Sequence, residues 1–385
     1  MDFELSESQE MFRSTLRDFV QRSVKPQVHH LEQNGIYPSD LVSEMAAMGL
    51  FGLCIPSAYE GLELDSISMA LVFEEISRAW MGLAGILGTH TIACAMIAKF
   101  GTESQREKFL PALARGERRT AMALSEPDAG SDLQAITTRA TRTESGYHVD
   151  GTKLWITNAR HANPLPVLVK TDPQATPRHR GMSILLIETP RTGLEVTKDL
   201  PKLGYRGPET CEVVLSGVEV PADALLGGQE GQGLQQALWA LQLGRINIAA
   251  RGVGLSQGAL EAALAYAHHR EAFGEKIVQF QLIQEKIADM ATEIQAARLM
   301  TYWAASQHDK LGRADTETGM AKLFASEVAL RSALEAMRVH GGYGYSQEFD
   351  VERLYRDAPL LAIGEGTNEI LRTVIARNIS REFRS

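Results

Sequence analysis

The stretch "GYHVDGTKLWITN", residues 146–158, interrupts an otherwise helical pattern and decides the fold class. It is rich in β-branched and aromatic residues, which favour extended strands. The Asp150–Gly151 pair inside it predicts a hairpin turn between two short strands. Similar runs follow at "PVLVKT", "MSILLIE" and "CEVVLSGVEV", so the β signal of the chain is concentrated in one region.

Helical signals flank this β region on both sides. Ser6 with Gln9 and Thr102 with Gln105 have the spacing of capping boxes, which begin helices. Later in the chain, apolar residues recur at helical spacing on one face; they are Ile283, Ile287, Met290, Ile294 and Ala297. Helices, then strands, then helices predict an α+β multi-domain protein rather than an alternating doubly wound sheet.

The domain boundaries follow from where these patterns change. We predict an N-terminal α-helical domain over residues 1–118, a middle β domain over residues 119–230 and a C-terminal α-helical domain over residues 231–385. A length of 385 residues exceeds the usual size of a single core and agrees with two or three domains.

Composition excludes several classes of function. The net charge is −9 and no long basic run occurs, so we expect neither nucleic acid nor an anionic membrane as a main partner. The three cysteines are widely spaced, which predicts neither a disulfide framework nor a metal site. The acidic N-terminus resembles no signal or transit peptide, and no stretch approaches the apolar length of a membrane span. We therefore expect a cytoplasmic protein.

Five stretches carry polar or glycine-rich patterns that are typical of ligand sites. They are "ALSEPDAGSD" (123–132), "KLWITNA" (153–159), "HREAFGEKI" (269–277), "HGGYGY" (340–345) and "IGEGTNEI" (363–370). Trp155 and Thr157 lie two apart and would face one side of a strand, which suits a planar heteroaromatic ring. Arg270 and Phe273 are expected one helical turn apart, where the arginine could bind a pyrophosphate. Each stretch alone also fits an ordinary loop, helix end or packed strand.

Taken in this order, the five stretches resemble the motif set of the acyl-CoA dehydrogenase family, over essentially the whole chain. Members are FAD-dependent enzymes that oxidise an acyl-CoA thioester to its trans-2-enoyl form. The resemblance implies a β-barrel or sandwich in the middle domain and a four-helix bundle in the C-terminal domain.

The resemblance also implies roles for individual residues. Those implied to contact FAD are Met122, Leu124, Ser125, Trp155, Thr157, Arg270, Phe273, Gln281, Arg338, Gly341, Gly342, Thr367 and Glu369. Those implied to bind the acyl-CoA are Ser131, Arg245, Gly364 and Gly366. Because Arg270 and Phe273 match residues that reach a neighbouring subunit, a homo-oligomer is implied, namely a tetramer built as a dimer of dimers.

Glu365 matches the catalytic base of the family, which removes the α-proton of the acyl group. A minority of relatives carry the base on the helix of Arg245 instead, but here that position is Gly244, which has no carboxylate. Many relatives have a bulky residue before the base, whereas this chain has Gly364, which enlarges the pocket. The branch that binds dicarboxylyl groups has an arginine near position 82, where this chain has glycine, so we expect no dicarboxylyl substrate.

The electron acceptor implied by the resemblance is electron-transfer flavoprotein. Three alternatives stay open: a dehydrogenase of a carrier-protein-bound acyl group, an acyl-CoA oxidase, and a degenerate helical binding protein. Oxidases of the family have longer chains than 385 residues, and the intact Glu365 and flavin motifs argue against a degenerate protein.

Overall fold

The computed structural model describes residues 4–383 and confirms the order of helices, strands and helices. The outer ends of the first and third predicted domains, residues 1–3 and 384–385, lie outside the described residues. The boundaries after residues 118 and 230 stay predictions.

Six α-helices precede the strands. They are α1 (Glu7–Phe19), α2 (Lys25–Gln33), α3 (Ser39–Ala47), α4 (Ser66–Ser77), α5 (Met81–Phe100) and α6 (Glu103–Ala114). Both predicted capping boxes are present: Ser6 and Gln9 start α1, and Thr102 and Gln105 start α6. In each box, the side chain of each residue accepts a hydrogen bond from the backbone amide of the other. These two bonds fix the start of the helix.

Helix α5 corrects one expectation from the sequence. Its 20 residues are long and apolar enough to cross a membrane by length and composition. However, 89% of its most apolar window is buried inside the protein, as in the core helices of many globular proteins. The apolar composition of α5 is therefore explained by its place in the core, between α4 and α7.

The middle region contains one six-stranded mixed sheet. Its strands are β1 (Arg139–Arg142), β2 (Gly146–Thr157), β3 (Leu165–Lys170), β4 (Met182–Ile187), β5 (Leu194–Asp199) and β6 (Thr210–Pro221). Their order across the sheet is β4-β3-β1-β2-β6-β5, with β1 and β3 parallel and the other neighbours antiparallel.

The predicted hairpin turn at Asp150–Gly151 is wrong. Both residues lie inside β2, and the turn that precedes β2 is closed by Thr143 and Gly146. Gly151 instead sits at a register shift between β2 and β6. A Cβ added there would lie 2.7 Å from Thr138 Cα, so the glycine serves a close approach of two backbone segments.

Long helices dominate the C-terminal region. They are α7 (Gly233–His269), α8 (Gln281–Leu311), α9 (Asp315–His340), α10 (Val351–Ile363) and α11 (Asn368–Glu382). A two-stranded hairpin, β7 (Glu271–Ala272) and β8 (Glu275–Lys276), separates α7 from α8. The predicted apolar face of α8 packs inward, with Met290, Ile294 and Ala297 fully buried in a core shared with α7 and α9.

A buried ion pair connects the "ALSEPDAGSD" loop to β2. Lys153 Nζ donates to Glu126 Oε1 at 2.9 Å and to Leu124 O at 3.1 Å, and both charged side chains are almost fully buried. Burial alone would raise the pKa of Glu126, but Lys153 and donors from Thr137 and Thr138 outweigh it and lower the pKa to about 2. The pair therefore positions the segment that contains Leu124 and Ser125.

We expect Lys153→Met to lower the free energy of unfolding by about 3–5 kcal/mol, because it leaves the Glu126 carboxylate buried without its cation. Chemical denaturation followed by tryptophan fluorescence measures the change. Lys198→Met, at an exposed position on β5, is the matched control and should change stability little. Equal stability of the two variants would contradict a structural role for the pair.

Candidate active site

Glu365 lies in the short connection between α10 and α11. Gly364 ends α10, and the Thr367 side chain accepts a hydrogen bond from Ile370 N to begin α11. Glu365 itself has φ 55°, in the left-handed region that costs energy for a residue with a side chain. Such strain persists only where the surroundings hold it, and it is common at functional sites.

The Glu365 carboxylate points at Gly244 on α7. A Cβ added to Gly244 would lie 2.6 Å from Glu365 Oε2, so only glycine leaves space for the carboxylate there. The resemblance noted in the sequence marks Gly244 as a position without a base. The structure adds that Gly244 accommodates the base that comes from the other chain segment.

The electrostatic environment of Glu365 is that of a buried base. The residue as a whole is partly exposed, but its Oε2 atom is buried and has no hydrogen-bond partner among residues 4–383. Burial raises the pKa of Glu365, and the positive charges of Arg251, Lys322 and Arg245 oppose that rise. A carboxylate that is desolvated but not hydrogen-bonded at this oxygen can accept a proton from a bound ligand.

Lys322, on α9, bonds the backbone of the connection between α10 and α11 that carries Glu365. This fully buried side chain donates to Ala362 O at 3.2 Å, Gly366 O at 2.8 Å and Asn368 Oδ1 at 3.0 Å. Burial lowers the pKa of Lys322 to about 8, and the nearby Glu365 carboxylate limits that fall. The ammonium group thus holds both sides of the connection and supplies charge near the base.

Two cations lie near Glu365, and the sequence predicted only one of them. Arg245 was predicted, and it is buried beside Asp315, with Nη1 and Oδ1 3.2 Å apart. Lys322 was missed, although it is a lone charge among residues of α9 that follow an apolar helical pattern. A charged residue on a buried helix face is a signal for a polar site.

A second cluster of predicted residues surrounds the end of β2. Leu154 N donates to Ser125 O at 2.9 Å, which brings Ser125 beside Trp155. Trp155 is 58% exposed and has φ 66° at a register shift, while Ile156 points into the core of the sheet. Thr157 is partly exposed two residues later. The predicted pair therefore lies at the end of β2 with both side chains at least partly accessible.

Further predicted residues extend these two clusters. Leu124 is buried and Met122 partly buried, on either side of Ala123, whose amide donates to Pro166 O of β3. Ser131 is exposed in the loop before β1. Thr367 caps α11, and Glu369 is exposed in its first turn, beside the Glu365 connection.

A third group of predicted residues lines a separate open groove of about 710 Å³. Arg270, Phe273, Gly341 and Gly342 are among its walls. Phe273 is 99% exposed, and it lies in the β7–β8 hairpin with φ 51°. The expectation that Arg270 and Phe273 lie one helical turn apart is therefore wrong, because α7 ends at His269.

The groove and Glu365 cannot belong to one site within a single chain. Gly244, against Glu365, and Arg270, in the groove, are 26 residues apart on or just beyond α7, which corresponds to roughly 40 Å along the helix. Arg338 and Gln281, near the end of α9 and at the start of α8, are exposed residues close in sequence to the groove walls. The structure thus divides the predicted cofactor residues into two distant groups.

The described part of the chain offers no set of protein ligands for a metal ion. Within residues 4–383, no group of three or more His, Cys, Asp or Glu side chains could hold a metal ion.

Models of three consecutive domains match nearly the whole chain. They are described as the acyl-CoA dehydrogenase N-terminal domain, over residues 6–117, the middle domain, over residues 121–218, and the C-terminal domain, over residues 231–380.

Individual relatives agree with these matches. A probable acyl-CoA dehydrogenase of Bacillus subtilis is 41% identical, over 98% of this chain and 100% of its own length. A (2S)-methylsuccinyl-CoA dehydrogenase of Cereibacter sphaeroides is 39% identical, over 97% of this chain and 70% of its own length.

Solved structures share the fold closely. Butyryl-CoA dehydrogenase from Megasphaera elsdenii superposes with a TM-score of 0.95 and 36% identity, covering 98% of this chain and 100% of that chain. A chain in a structure described as the electron transferring flavoprotein of Acidaminococcus fermentans gives the same score and identity, over 98% and 99%.

We expect Lys322→Met to loosen the connection that carries Glu365, because two backbone carbonyls and Asn368 lose their shared donor. Amide hydrogen exchange over residues 362–368 should accelerate by about tenfold or more. Lys310→Met, at an exposed position of α8, should leave this exchange unchanged. Unaltered exchange in Lys322→Met would show that the ammonium does not support the connection.

Proposed function

The chain belongs to the acyl-CoA dehydrogenase family, and on this basis we propose that Glu365 is the base with which it converts an acyl-CoA thioester to the trans-2-enoyl-CoA. The family membership makes the protein an FAD-dependent oxidoreductase. The observation that carries the proposal is the buried Oε2 atom of Glu365, which has no hydrogen-bond partner in the described part of the chain and faces the space above Gly244.

The chemistry requires such a base because the α-carbon of a thioester is a weak acid. A carboxylate with a raised pKa accepts the proton more readily than an exposed one. Burial raises the pKa of Glu365, and the positive charges of Arg251, Lys322 and Arg245 oppose that rise. As the α-proton leaves, negative charge develops on the thioester oxygen, and the Glu365 amide and the positive charges of Arg245 and Lys322 would stabilise it.

The residues around β2 suit a flavin ring. Trp155 offers an exposed aromatic face, and Ser125 and Thr157 offer partly exposed hydroxyls beside it. An exposed aromatic face beside hydroxyl groups suits a planar ring with hydrogen-bonding edges. Here Met122, Leu124, Ser125, Trp155 and Thr157 would hold the FAD ring. When bound, FAD supplies the acceptor for the β-hydrogen and its two electrons.

The distant groove would hold the other end of an FAD that is bound by a second copy of the chain. Gly341 and Gly342 leave open space, since a Cβ added to either meets no atom within 4 Å. Arg270 supplies a positive charge at this place, and the exposed Phe273 supplies an aromatic face. The separation of roughly 40 Å from Glu365 supports a homo-oligomer, with a dimer of dimers as the proposed assembly.

Substrate contacts are proposed for the remaining residues. Arg245, Gly364 and Gly366 lie at the Glu365 connection, and the exposed Ser131 would contact the CoA portion. We further propose electron-transfer flavoprotein as the acceptor and the cytoplasm as the location. The structural match to a chain in an electron transferring flavoprotein structure supports this acceptor.

We expect Glu365→Gln to lower kcat/KM for acyl-CoA oxidation by roughly 10²- to 10⁴-fold while FAD content is unchanged. In the unaltered protein, activity should fall as the pH drops through the raised pKa of Glu365, because the protonated acid cannot act as a base. Anaerobic flavin bleaching by acyl-CoAs measures both effects. Glu195→Gln, on the exposed face of β5, is the control. Normal turnover by Glu365→Gln would refute the assignment.

The shared cofactor site predicts complementation between inactive variants. Glu365→Gln and Arg270→Ala should each be inactive alone, but mixed oligomers should contain sites with an intact base from one copy and an intact groove from the other. In random dimers roughly a quarter of the sites would be active. Co-expression followed by activity and FAD assays tests this. Absence of recovery would show that each chain completes its own site.

A further inference from the structure

Arg251 lies on the same face of α7 as Gly244, two helical turns further along. Residues seven apart share a helix face and are about 10 Å apart along the axis. Helical side chains lean toward the N-terminal end of the helix, which is the direction from Arg251 to Gly244. Three cations oppose the rise of the Glu365 pKa that burial causes, and Arg251 has the strongest effect of the three. Arg251 therefore belongs to the surroundings of the base, although sequence patterns did not single it out.

The Arg251 guanidinium is buried and forms no salt bridge within the described residues. Only 5% of the residue is exposed, and neither Nε nor one terminal nitrogen, Nη2, has a hydrogen-bond partner within the described residues. Arg245 and Arg353, the other arginines buried to this degree in residues 4–383, each lie beside an aspartate. Two buried donors without an acceptor are unfavourable unless a ligand accepts hydrogen bonds from them.

Tyr205 forms a wall beside Arg251. The guanidinium carbon lies 5.3 Å from the centre of the Tyr205 ring, and Tyr205 N donates to the buried Asp357 Oδ1 at 2.6 Å. Burial raises the pKa of the Tyr205 phenol, and Arg251 and Thr157 oppose that rise. Thr157 belongs to the proposed flavin cluster. Arg251 therefore contacts Tyr205, and the phenol of Tyr205 interacts in turn with Thr157 of the proposed flavin cluster.

The helix opposite Arg251 leaves space for Tyr205. A Cβ on Gly85 of α5 would lie 1.8 Å from the Tyr205 hydroxyl oxygen, so glycine is needed there. Along the α5–α7 contact, Ile92 lies opposite Gly244 and Gly88 lies opposite Asn247. The two helices therefore run antiparallel, and Arg251 faces the early part of α5.

We propose that Arg251 binds a carboxylate at the far end of the acyl group, so that the preferred substrate is the CoA thioester of a short dicarboxylic acid. This inference rests on the proposed function and names its substrate class. Arginine donors match a carboxylate in charge and geometry, and the free Nε and Nη2 donors could bind both of its oxygens. Because Glu365 faces Gly244 and Arg251 is about 10 Å further along α7, only a short chain fits between the arginine and the base.

The inference reverses an expectation drawn from the sequence. Glycine at position 82 argued against a dicarboxylyl substrate, because an arginine was sought only near the start of α5. The structure places a cation on α7 that faces the same part of α5. The position of a charge in space, rather than its position in the chain, determines what it can bind.

Two matched pairs of thioesters test the proposal on the FAD-loaded protein. 2-Methylsuccinyl-CoA, with its methyl group on the α-carbon, is paired with 2-methylbutanoyl-CoA, and glutaryl-CoA with pentanoyl-CoA, so that within each pair a carboxylate replaces a methyl group. Flavin bleaching and steady-state kcat/KM are measured for the unaltered protein, Arg251→Gln, Arg251→Lys and the control Arg22→Met, at an exposed position. The readout is the ratio of the two rates within each pair.

We expect the unaltered protein and Arg22→Met to favour a carboxylate-bearing member by about tenfold or more, and Arg251→Gln to lower that ratio by about 100-fold. Arg251→Lys should retain part of the preference. The proposal is overturned if the unaltered protein favours the neutral members, or if Arg251→Gln slows both members equally. If Arg251→Gln does not bind FAD, the ratio for the unaltered protein decides. Bleaching by neutral thioesters alone would refute only this inference, whereas no bleaching by any acyl-CoA would refute the proposed function as well.

Discussion

The burial of one carboxylate oxygen without a hydrogen bond is the constraint on which the site depends. Glu365 Oε2 is desolvated against Gly244, and no group in the described chain satisfies it. Cations act on it from a distance rather than by contact: Arg245 is engaged by Asp315, and Lys322 donates to the backbone around it. The rise of the Glu365 pKa caused by burial is therefore opposed by nearby charge, while Oε2 is left free to accept a proton.

The same constraint explains the conformation of the surrounding chain. A left-handed Glu365 directs its side chain into the protein, and that strain needs support. The Lys322 ammonium supplies it by bonding carbonyls on both sides of Glu365, and Asn368 connects the start of α11 to α9. A lysine with three oxygen acceptors is a compact way to hold an irregular turn in a buried place.

Long helices determine how the rest of the site is assembled. Because α7 is 37 residues long, it carries Gly244 and Arg251 at the base and ends at the groove of Arg270. A helix of this length is rigid, so the two ends cannot approach within one chain. The predicted FAD-contacting residues therefore lie in two distant groups. We propose that a second copy of the chain supplies the group around Arg270.

Much of the fold could be predicted from local patterns. Capping boxes, the β-rich run and the apolar face of α8 were confirmed because each depends on residues close in sequence. The predicted turn at Asp150–Gly151 was wrong because Gly151 lies at a register shift inside β2, where Thr138 approaches its backbone. The prediction that Arg270 and Phe273 lie one helical turn apart was wrong because α7 ends at His269. Within the site, Lys322 and Arg251 were missed, since their importance lies in distant neighbours.

The sequence by itself determined the family, the order of helices and strands, and the identity of Glu365 as the candidate base. These depend on motifs and periodicities that a linear chain displays directly. Only the tertiary structure decided that Gly244 makes room for Glu365, that Lys322 supports it and that Arg251 has buried donors without a partner in the described residues. Burial and the absence of a partner are properties of three-dimensional packing, because they depend on every segment that folds around a group.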